Sequence, residues 1–201
     1  VKVVHTFHGA HAEKTIIGRA KVFIDSVLKN LTDKLISVSE DECKTSLQIG
    51  INKASSTIVI PNGIDHKSIK DEFDKLNRDT CRDIFSLPKE ARIWGTLSRL
   101  SYQKGIDLFL EFELPEDVLF AIAGDGEEKE SLLSKLTEDK KKRIVFLGNI
   151  EKPITFLKCL DGYFSSSRWE GLPLSVLEAM SCELPCLLSK VDGHRELSGV
   201  G

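Results

Sequence analysis

Apolar and polar positions recur with two different periods along this chain, and each change of period marks an element. Val1, Val3 and Val4 predict a short strand that ends in His5-Thr6-Phe7-His8-Gly9. Ile16, Ile17, Ala20, Phe23, Ile24, Val27, Leu28 and Leu31 recur at helical spacing and predict a helix with one apolar face. Lys34 to Val38 reads as a strand. Ser39 with Glu42 forms a capping box that opens a helix, and Gly50 is placed to close it. Thr57 to Ile60 is a further strand, ended by the Pro61-Asn62-Gly63 turn. Asp65 to about Leu87 is polar and charged, and reads as a crossing between domains with one short helix around Arg78 to Phe85.

From Arg92 onward the pattern becomes regular. Strands are predicted at Ile93–Leu97, Val118–Ala123, Ile144–Leu147, Tyr163–Ser166 and Pro185–Ser189, with helices between them at about Ile106–Phe112, Glu127–Leu136, Ile154–Leu160 and Leu174–Ser181. Successive strands start roughly 19 to 26 residues apart, the length of a βα unit, so the sheet should be parallel with right-handed crossovers. The strands are apolar on both faces, as a sheet covered by helices on both sides requires. The fold class is therefore α/β. Two regions are expected: residues 1–87, and a Rossmann-like domain over 88–201. In such a sheet ligands bind outside the carboxyl ends of the strands, so the residues just after each strand are the ones to weigh.

Composition narrows the class. The chain has 201 residues, 41% of them hydrophobic and 29% charged, with a formal net charge of −3. That is a globular composition with no basic field to attract nucleic acid. Five cysteines in no repeated spacing argue against a disulfide framework and read as reduced thiols in a cytosolic protein. No signal peptide is evident, and no apolar run reaches the roughly 18 residues a membrane span needs. The chain starts at Val1 rather than Met and reads as a fragment that begins within a domain.

Candidate chemistry sits after the strands. Arg99 and Lys104 follow the first strand of the regular region, where a planar donor fork and a mobile ammonium could straddle a diphosphate. Two solvated surface cations are the plainer reading. Gly124 and Gly126 follow the second strand and would let a ligand approach the backbone; the third glycine of a dinucleotide fingerprint is replaced by Lys129. Glu170 precedes a predicted helix and Glu178 lies within it, a little over two helical turns apart, so the two carboxylates could reach opposite ends of an elongated ligand. Gly171 permits close approach, and the backbone N–H groups at Leu172, Leu174 and Ser175, with Pro173 in the first turn, suit an anion. His5, His8 and His11 recur every three residues without an Asp or Cys among them, so a cleft-facing role is assigned to His8 alone and no metal is expected.

Together these pieces resemble the retaining glycosyltransferases of family 4, which have the two-domain GT-B fold. The matches run in order: His5-Thr6-Phe7-His8-Gly9, Ile60-Pro61-Asn62-Gly63-Ile64-Asp65, Ser98-Arg99-Leu100 with Lys104-Gly105, Ala123-Gly124-Asp125-Gly126, Phe146-Leu147-Gly148, and Glu170 to Met180. The resemblance implies a nucleotide-sugar-binding Rossmann-like sheet preceded by a remnant of the amino-terminal, acceptor-side domain.

The resemblance also implies roles. Arg99 and Lys104 would bind the donor diphosphate, and Glu178 the ribose hydroxyls. Glu170 and His8 would face the donor sugar. Gly171, Leu172, Pro173 and Leu174 would lie along the sugar and distal phosphate, and the base near Leu147, Gly148 and Asn149. The implied reaction moves a hexosyl group from a nucleotide diphosphate sugar to a hydroxyl of a glycan or glycolipid, with retention and without a cofactor. Arg and Lys take the place a divalent metal holds in other glycosyltransferases, and no Asp-x-Asp motif occurs in the chain. The resemblance implies a cytoplasmic protein and leaves room for peripheral attachment to the membrane. This chain by itself is expected to turn over little or no donor. Two rivals remain open, a non-catalytic nucleotide-sugar-binding module and a GT-B nucleotide-sugar epimerase.

Overall fold

A computed structural model of the chain describes residues 2–9 and 16–199. Val1, His11 and Gly201, which entered the sequence reading, lie outside the described residues. The chain divides into two compact units, the first made of residues 1–63, 169–173 and 190–201 and the second of 64–168 and 174–189.

The first unit is built on three parallel strands in the order β1 (Val4–Phe7), β2 (Lys34–Ser37), β3 (Thr57–Val59). The first strand begins later than the valine pattern suggests, and His5 to Phe7 lie inside it: Val4 pairs with Lys34 and Phe7 with Ser37. Helix α1 (Ile16–Leu28) follows β1, and α2 (Glu40–Gln48) follows β2. The α1 pattern foretold the helix but not its covered face. Phe23, Ile24, Val27 and Leu28 are exposed, while Val22 packs on the small core of Phe7, Leu35 and Ile51. A three-stranded sheet covers only a narrow stripe of a helix that is apolar over a wider arc.

Ser39 caps α2 by accepting the Glu42 N–H at 3.1 Å. The return arm of the capping box lands one residue early, because the Glu42 carboxylate accepts the Val38 N–H at 2.8 Å. Gly50 ends α2 with a left-handed φ of 78°; its N–H reaches the Leu47 carbonyl and the Ile51 N–H the Ser46 carbonyl, the paired bonds of a Schellman stop. Near its end the chain returns to this unit as α10 (Asp192–Ser198), a helix absent from the sequence reading. Its Asp192 accepts from the Thr45 hydroxyl at 2.5 Å, and Glu196 accepts from the Glu40 N–H at 2.9 Å.

The second unit carries five parallel strands, β4 (Arg92–Leu97), β5 (Val118–Ala123), β6 (Ile144–Gly148), β7 (Gly162–Ser165) and β8 (Cys186–Leu188), in the order β6-β5-β4-β7-β8. Helices α5 (Ile106–Glu111), α6 (Lys129–Ser134), α8 (Pro153–Lys158) and α9 (Leu174–Ser181) connect them, much as the spacing predicts. The predicted helix Glu127–Leu136 contains α6, and a further helix outside the prediction, α7 (Glu138–Arg143), follows because Thr137 caps a new start by accepting the Lys140 N–H at 3.3 Å. One face of the sheet buries Leu100, Ile106, Phe109, Phe120, Ile122, Leu132 and Phe164. Each such side chain contributes about 1.5–3 kcal/mol of burial. On the other face Gly95 lies against Leu160, at the end of α8, where a Cβ would come within 2.7 Å of that side chain.

The polar stretch after Asp65 is not a loose crossing. It forms α3 (His66–Lys75) and α4 (Arg78–Ile84), capped by Asp65 and Asn77, and both belong to the second unit. The buried Arg82 explains this allegiance. Its guanidinium donates to the carbonyls of Cys159, Pro88 and Ala91 at 2.9–3.1 Å and to Asp161 at 3.1 Å, while Asp161 also accepts the Ile93 N–H at 2.7 Å. A charge with that many partners is bound to the sheet and cannot leave it cheaply. The chain first passes between the compact units at Gly63 and Ile64.

Candidate functional site

The strand order of the second unit reverses between β4 and β7, so the chain leaves these neighbours toward opposite sides and opens a crevice at their carboxyl ends. Tyr163 pins that junction. Its hydroxyl accepts the Leu97 N–H at 3.2 Å and donates to the Leu97 carbonyl at 3.1 Å. Beyond Leu97 the chain runs through Ser98 and Arg99 to a single 3-10 turn, Tyr102–Lys104, and Gly105 then starts α5 with a φ of 62°. A side chain at Gly105 would sit 2.3 Å from the Ser166 carbonyl, so this turn lies directly on the loop after β7.

An open cleft of about 650 Å³ lies over the ends of β4, β5 and β6, lined by Leu97, Ser98, Arg99, Gly124, Asp125, Gly126, Asn149 and Ile150. The sequence reading assigned Gly124 and Gly126 to close approach by a ligand. The structure shows the protein's own backbone there: a Cβ at Gly124 would meet the Ser98 carbonyl at 1.9 Å and one at Gly126 the Leu100 carbonyl at 2.3 Å. Gly124 also has a φ of 131°, which a side chain rarely tolerates. These glycines shape the cleft by letting the β4 and β5 loops nest. Gly148 ends β6 with its carbonyl accepting the Gly124 N–H at 2.7 Å, Leu147 precedes it in the strand, and Asn149 stands exposed on the rim.

Arg99 is weakly held on this rim. Arg99 pairs with Glu127 at 3.0 Å, but both side chains are largely exposed, so the pair contributes little and a better anion can replace it. The Ser98 hydroxyl is buried with no hydrogen-bond partner among the described residues. Lys104 is half-buried at the end of the 3-10 turn. Glu178, on α9, is half-buried, and its carboxyl is held above the ordinary glutamate value by burial. No hydrogen bond or ion pair to its side chain is seen among the described residues.

The other predicted residues fall in the first unit, at the carboxyl end of its own sheet. His8 is exposed just after β1. Glu170, Gly171, Leu172 and Pro173 are buried, in a loop held by backbone contacts: Asn62 donates to the Leu172 carbonyl at 2.8 Å, and a Cβ at Gly171 would meet Val38 at 2.8 Å and the Gly9 nitrogen at 3.0 Å. The sequence reading expected two cations and two acids at one sheet rim. Arg99 and Lys104 follow β4 and Glu178 lies in the helix after the neighbouring β7, all in the second unit, while Glu170 and His8 belong to the first, where a Cβ at Gly171 would lie against Val38 and Gly9. Leu174, the first residue of α9, is 48% exposed and returns the chain to the second unit. Sequence reasoning missed Glu42, whose carboxylate also accepts the Gly9 N–H and so sets the turn beside His8. The capping-box spacing flagged Glu42 only as a helix start.

Parallel sheets joined by helices in two compact units fit the fold of GT-B glycosyltransferases. Solved structures of that class are similar to this chain. The Anabaena protein HepE, in a crystal structure with UDP-glucose, superposes with a TM-score of 0.80 at 22% identity over 98% of this chain and 55% of that one. WaaG, a glycosyltransferase involved in lipopolysaccharide biosynthesis, does so at 0.67 and 19%, covering 83% and 47%. The family model described as Glycosyl transferases group 1 matches residues 77–199, and this chain belongs to that family. Among curated proteins it is 30% identical to an Escherichia coli UDP-Gal:alpha-D-GlcNAc-diphosphoundecaprenol alpha-1,3-galactosyltransferase, over 96% of this chain and 52% of that protein. It is 29% identical to the lipopolysaccharide core biosynthesis mannosyltransferase LpsB of Rhizobium meliloti, over 69% and 42%. The chain spans about half the length of the curated relatives it matches. No helix among the described residues is long and apolar enough to cross a membrane.

Proposed function

We propose that this chain carries the donor-binding part of a retaining hexosyltransferase of family 4. Such an enzyme would move a hexosyl group from a nucleotide diphosphate sugar to a hydroxyl of a glycan or glycolipid, in the cytoplasm or at its membrane face. The observation that carries the reading is Glu178, a half-buried carboxylate without a hydrogen bond or ion pair among the described residues, in the helix that follows β7, the sheet neighbour of the β4 whose loop carries Arg99 and Lys104. A protein leaves a desolvated acid unsatisfied only at a cost. Ribose hydroxyls would satisfy it, while the two cations take the diphosphate.

In this reading Arg99 and Lys104 do the main catalytic work by stabilising charge as it develops on the leaving diphosphate. Arg99 exchanges the exposed Glu127 for phosphate oxygens, and Lys104 adds a point charge. The base lies by Leu147, Gly148 and Asn149. Glu170, His8 and the Gly171–Leu174 stretch are assigned to the sugar side. The family supports a transferase over the epimerase and the non-catalytic module, and the names of the relatives support UDP-sugars and lipid-linked or lipopolysaccharide acceptors. Because the chain spans about half of its relatives, it is expected to bind donor without ordinary turnover.

Calorimetric titration of the chain with UDP, GDP and ADP tests the reading. One of the three should bind, and Lys104→Ala and Glu178→Ala should each weaken that binding by about ten-fold or more, the loss of one charge-assisted hydrogen bond. No binding of any nucleotide, or unchanged affinity in both variants, would refute it.

A further inference from the structure

The three residues after Ser165 carry contacts that the donor-site reading leaves unused. They grip the 3-10 turn that ends in Lys104. The Ser166 hydroxyl donates to the Lys104 carbonyl at 3.1 Å, and the Arg168 N–H donates to the Gln103 carbonyl at 2.7 Å. The Arg168 guanidinium donates to the Tyr102 carbonyl at 2.7 Å and lies 4.0 Å over the Tyr102 ring. Three consecutive carbonyls of the turn are thus held by one short segment of the β7 loop.

The same guanidinium forms a fork-to-fork pair with Asp107 in the first turn of α5, at 2.8 and 2.7 Å. Both side chains are largely removed from solvent, at 17% and 16% exposure, where a bidentate charged pair is stronger and more directional than a surface one. Arg168 therefore ties together what comes before and after Gly105. Three of its five N–H donors go to the Tyr102 carbonyl and to Asp107, and the Asp107 carboxylate offsets its charge, which leaves it poorly placed to act as a third cation for a ligand.

We propose that Arg168, with Asp107, is a positioning residue for Lys104: it fixes the main chain from which the lysine projects, so that the ammonium is already in place when a diphosphate arrives. This rests on the reading of Lys104 as a diphosphate ligand. Pre-set geometry matters here because a lysine stem is flexible, and a turn free to move would add its own ordering cost to every binding event.

The test is a double-mutant cycle on the 201-residue chain, read by calorimetry with whichever of UDP, GDP and ADP binds the wild type. Arg168→Gln should weaken binding about five-fold or more in the wild-type background and by less than about two-fold in the Lys104→Ala background, because a positioning residue has nothing left to position. Asp107→Asn should follow the same pattern with a smaller effect, and serves in place of Arg168→Gln if that variant does not fold. The proposal is overturned if both variants lower thermal stability but leave affinity within two-fold of wild type, which is a purely structural role. It is equally overturned if Arg168→Gln weakens the Lys104→Ala chain as much as the wild type, which would make Arg168 a ligand contact in its own right. If Lys104→Ala binds as tightly as wild type, the diphosphate role of Lys104 falls and takes this proposal with it, while Glu178→Ala still tests the donor-site reading; if Lys104→Ala weakens binding while Arg168→Gln and Asp107→Asn do not, only the positioning role fails.

Discussion

Glu42 and Glu178 are the same side chain in the two units, and they are used in opposite ways. Glu42 is 1% exposed and accepts the N–H groups of Val38 and Gly9, so its charge is consumed in building the end of a three-stranded sheet. Glu178 lies within α9, the helix that joins β7 to β8 of the five-stranded sheet, half-buried, with burial alone raising its carboxyl pKa. A satisfied carboxylate is part of the framework, and an unsatisfied one is a cost that a ligand can remove. The comparison separates a residue that holds the fold from one proposed to hold the donor, although both are glutamates in helices that follow strands.

Removing each acid should make the contrast measurable. Glu42→Ala strands two backbone donors and is expected to destabilise the protein by about 2–4 kcal/mol, read from urea unfolding. Glu178→Ala should leave stability unchanged or slightly higher, since it deletes a desolvated charge, while nucleotide affinity falls. If Glu178→Ala unfolds the chain as readily as Glu42→Ala does, the distinction collapses.

The distinction extends to pH. Glu178 has a folded pKa raised above its unfolded value, so the stability linked to its proton is present at low pH and is lost as pH rises through the folded value. Its ionised form is the hydrogen-bond acceptor, so affinity should climb over the same window, and Glu178→Gln should flatten that climb. Asp107 behaves in the opposite sense. The Arg168 hydrogen bonds, against burial, hold its carboxyl below the usual value, so its contribution is present above the unfolded pKa and disappears as pH falls through the folded one. Acid unfolding of Arg168→Gln should accordingly begin at higher pH than that of the wild type, followed by circular dichroism.

The smallest expected effect concerns Arg99. Its partner Glu127 is exposed and competes with any bound anion, so Glu127→Gln should tighten nucleotide binding by about two-fold and leave Tm within a degree or two. Weaker binding in that variant would mean that Glu127 orients Arg99 instead of competing with it.

How much of this was legible beforehand follows from the kind of information each feature needs. The five parallel strands were readable because every one is a short apolar run with a helix-length gap behind it, and the rim residues followed from the rule that ligands sit at strand carboxyl ends. Helices α3, α7 and α10 were not: α3 sets Ile69 and Phe73 one turn apart within an otherwise charged stretch, and α3 and α7 open on capping residues, Asp65 and Thr137, that the reading passed over. The placement of Glu170 was hidden for another reason. Nothing local to Gly171 announces that a Cβ there would strike Val38, more than a hundred residues earlier, and that tertiary contact decides which unit the loop joins. The Arg168–Asp107 clamp was equally invisible, since an arginine in a serine-rich loop looks the same whether it is solvated or locked.

The most direct measurement is a crystal structure of the chain soaked with the nucleotide diphosphate that it binds. The account predicts the diphosphate against Arg99 and Lys104 in the cleft above β4 and β5, with a ribose hydroxyl within hydrogen-bond distance of Glu178. A nucleotide seated elsewhere on the second unit, with Glu178 still without a partner, would contradict it.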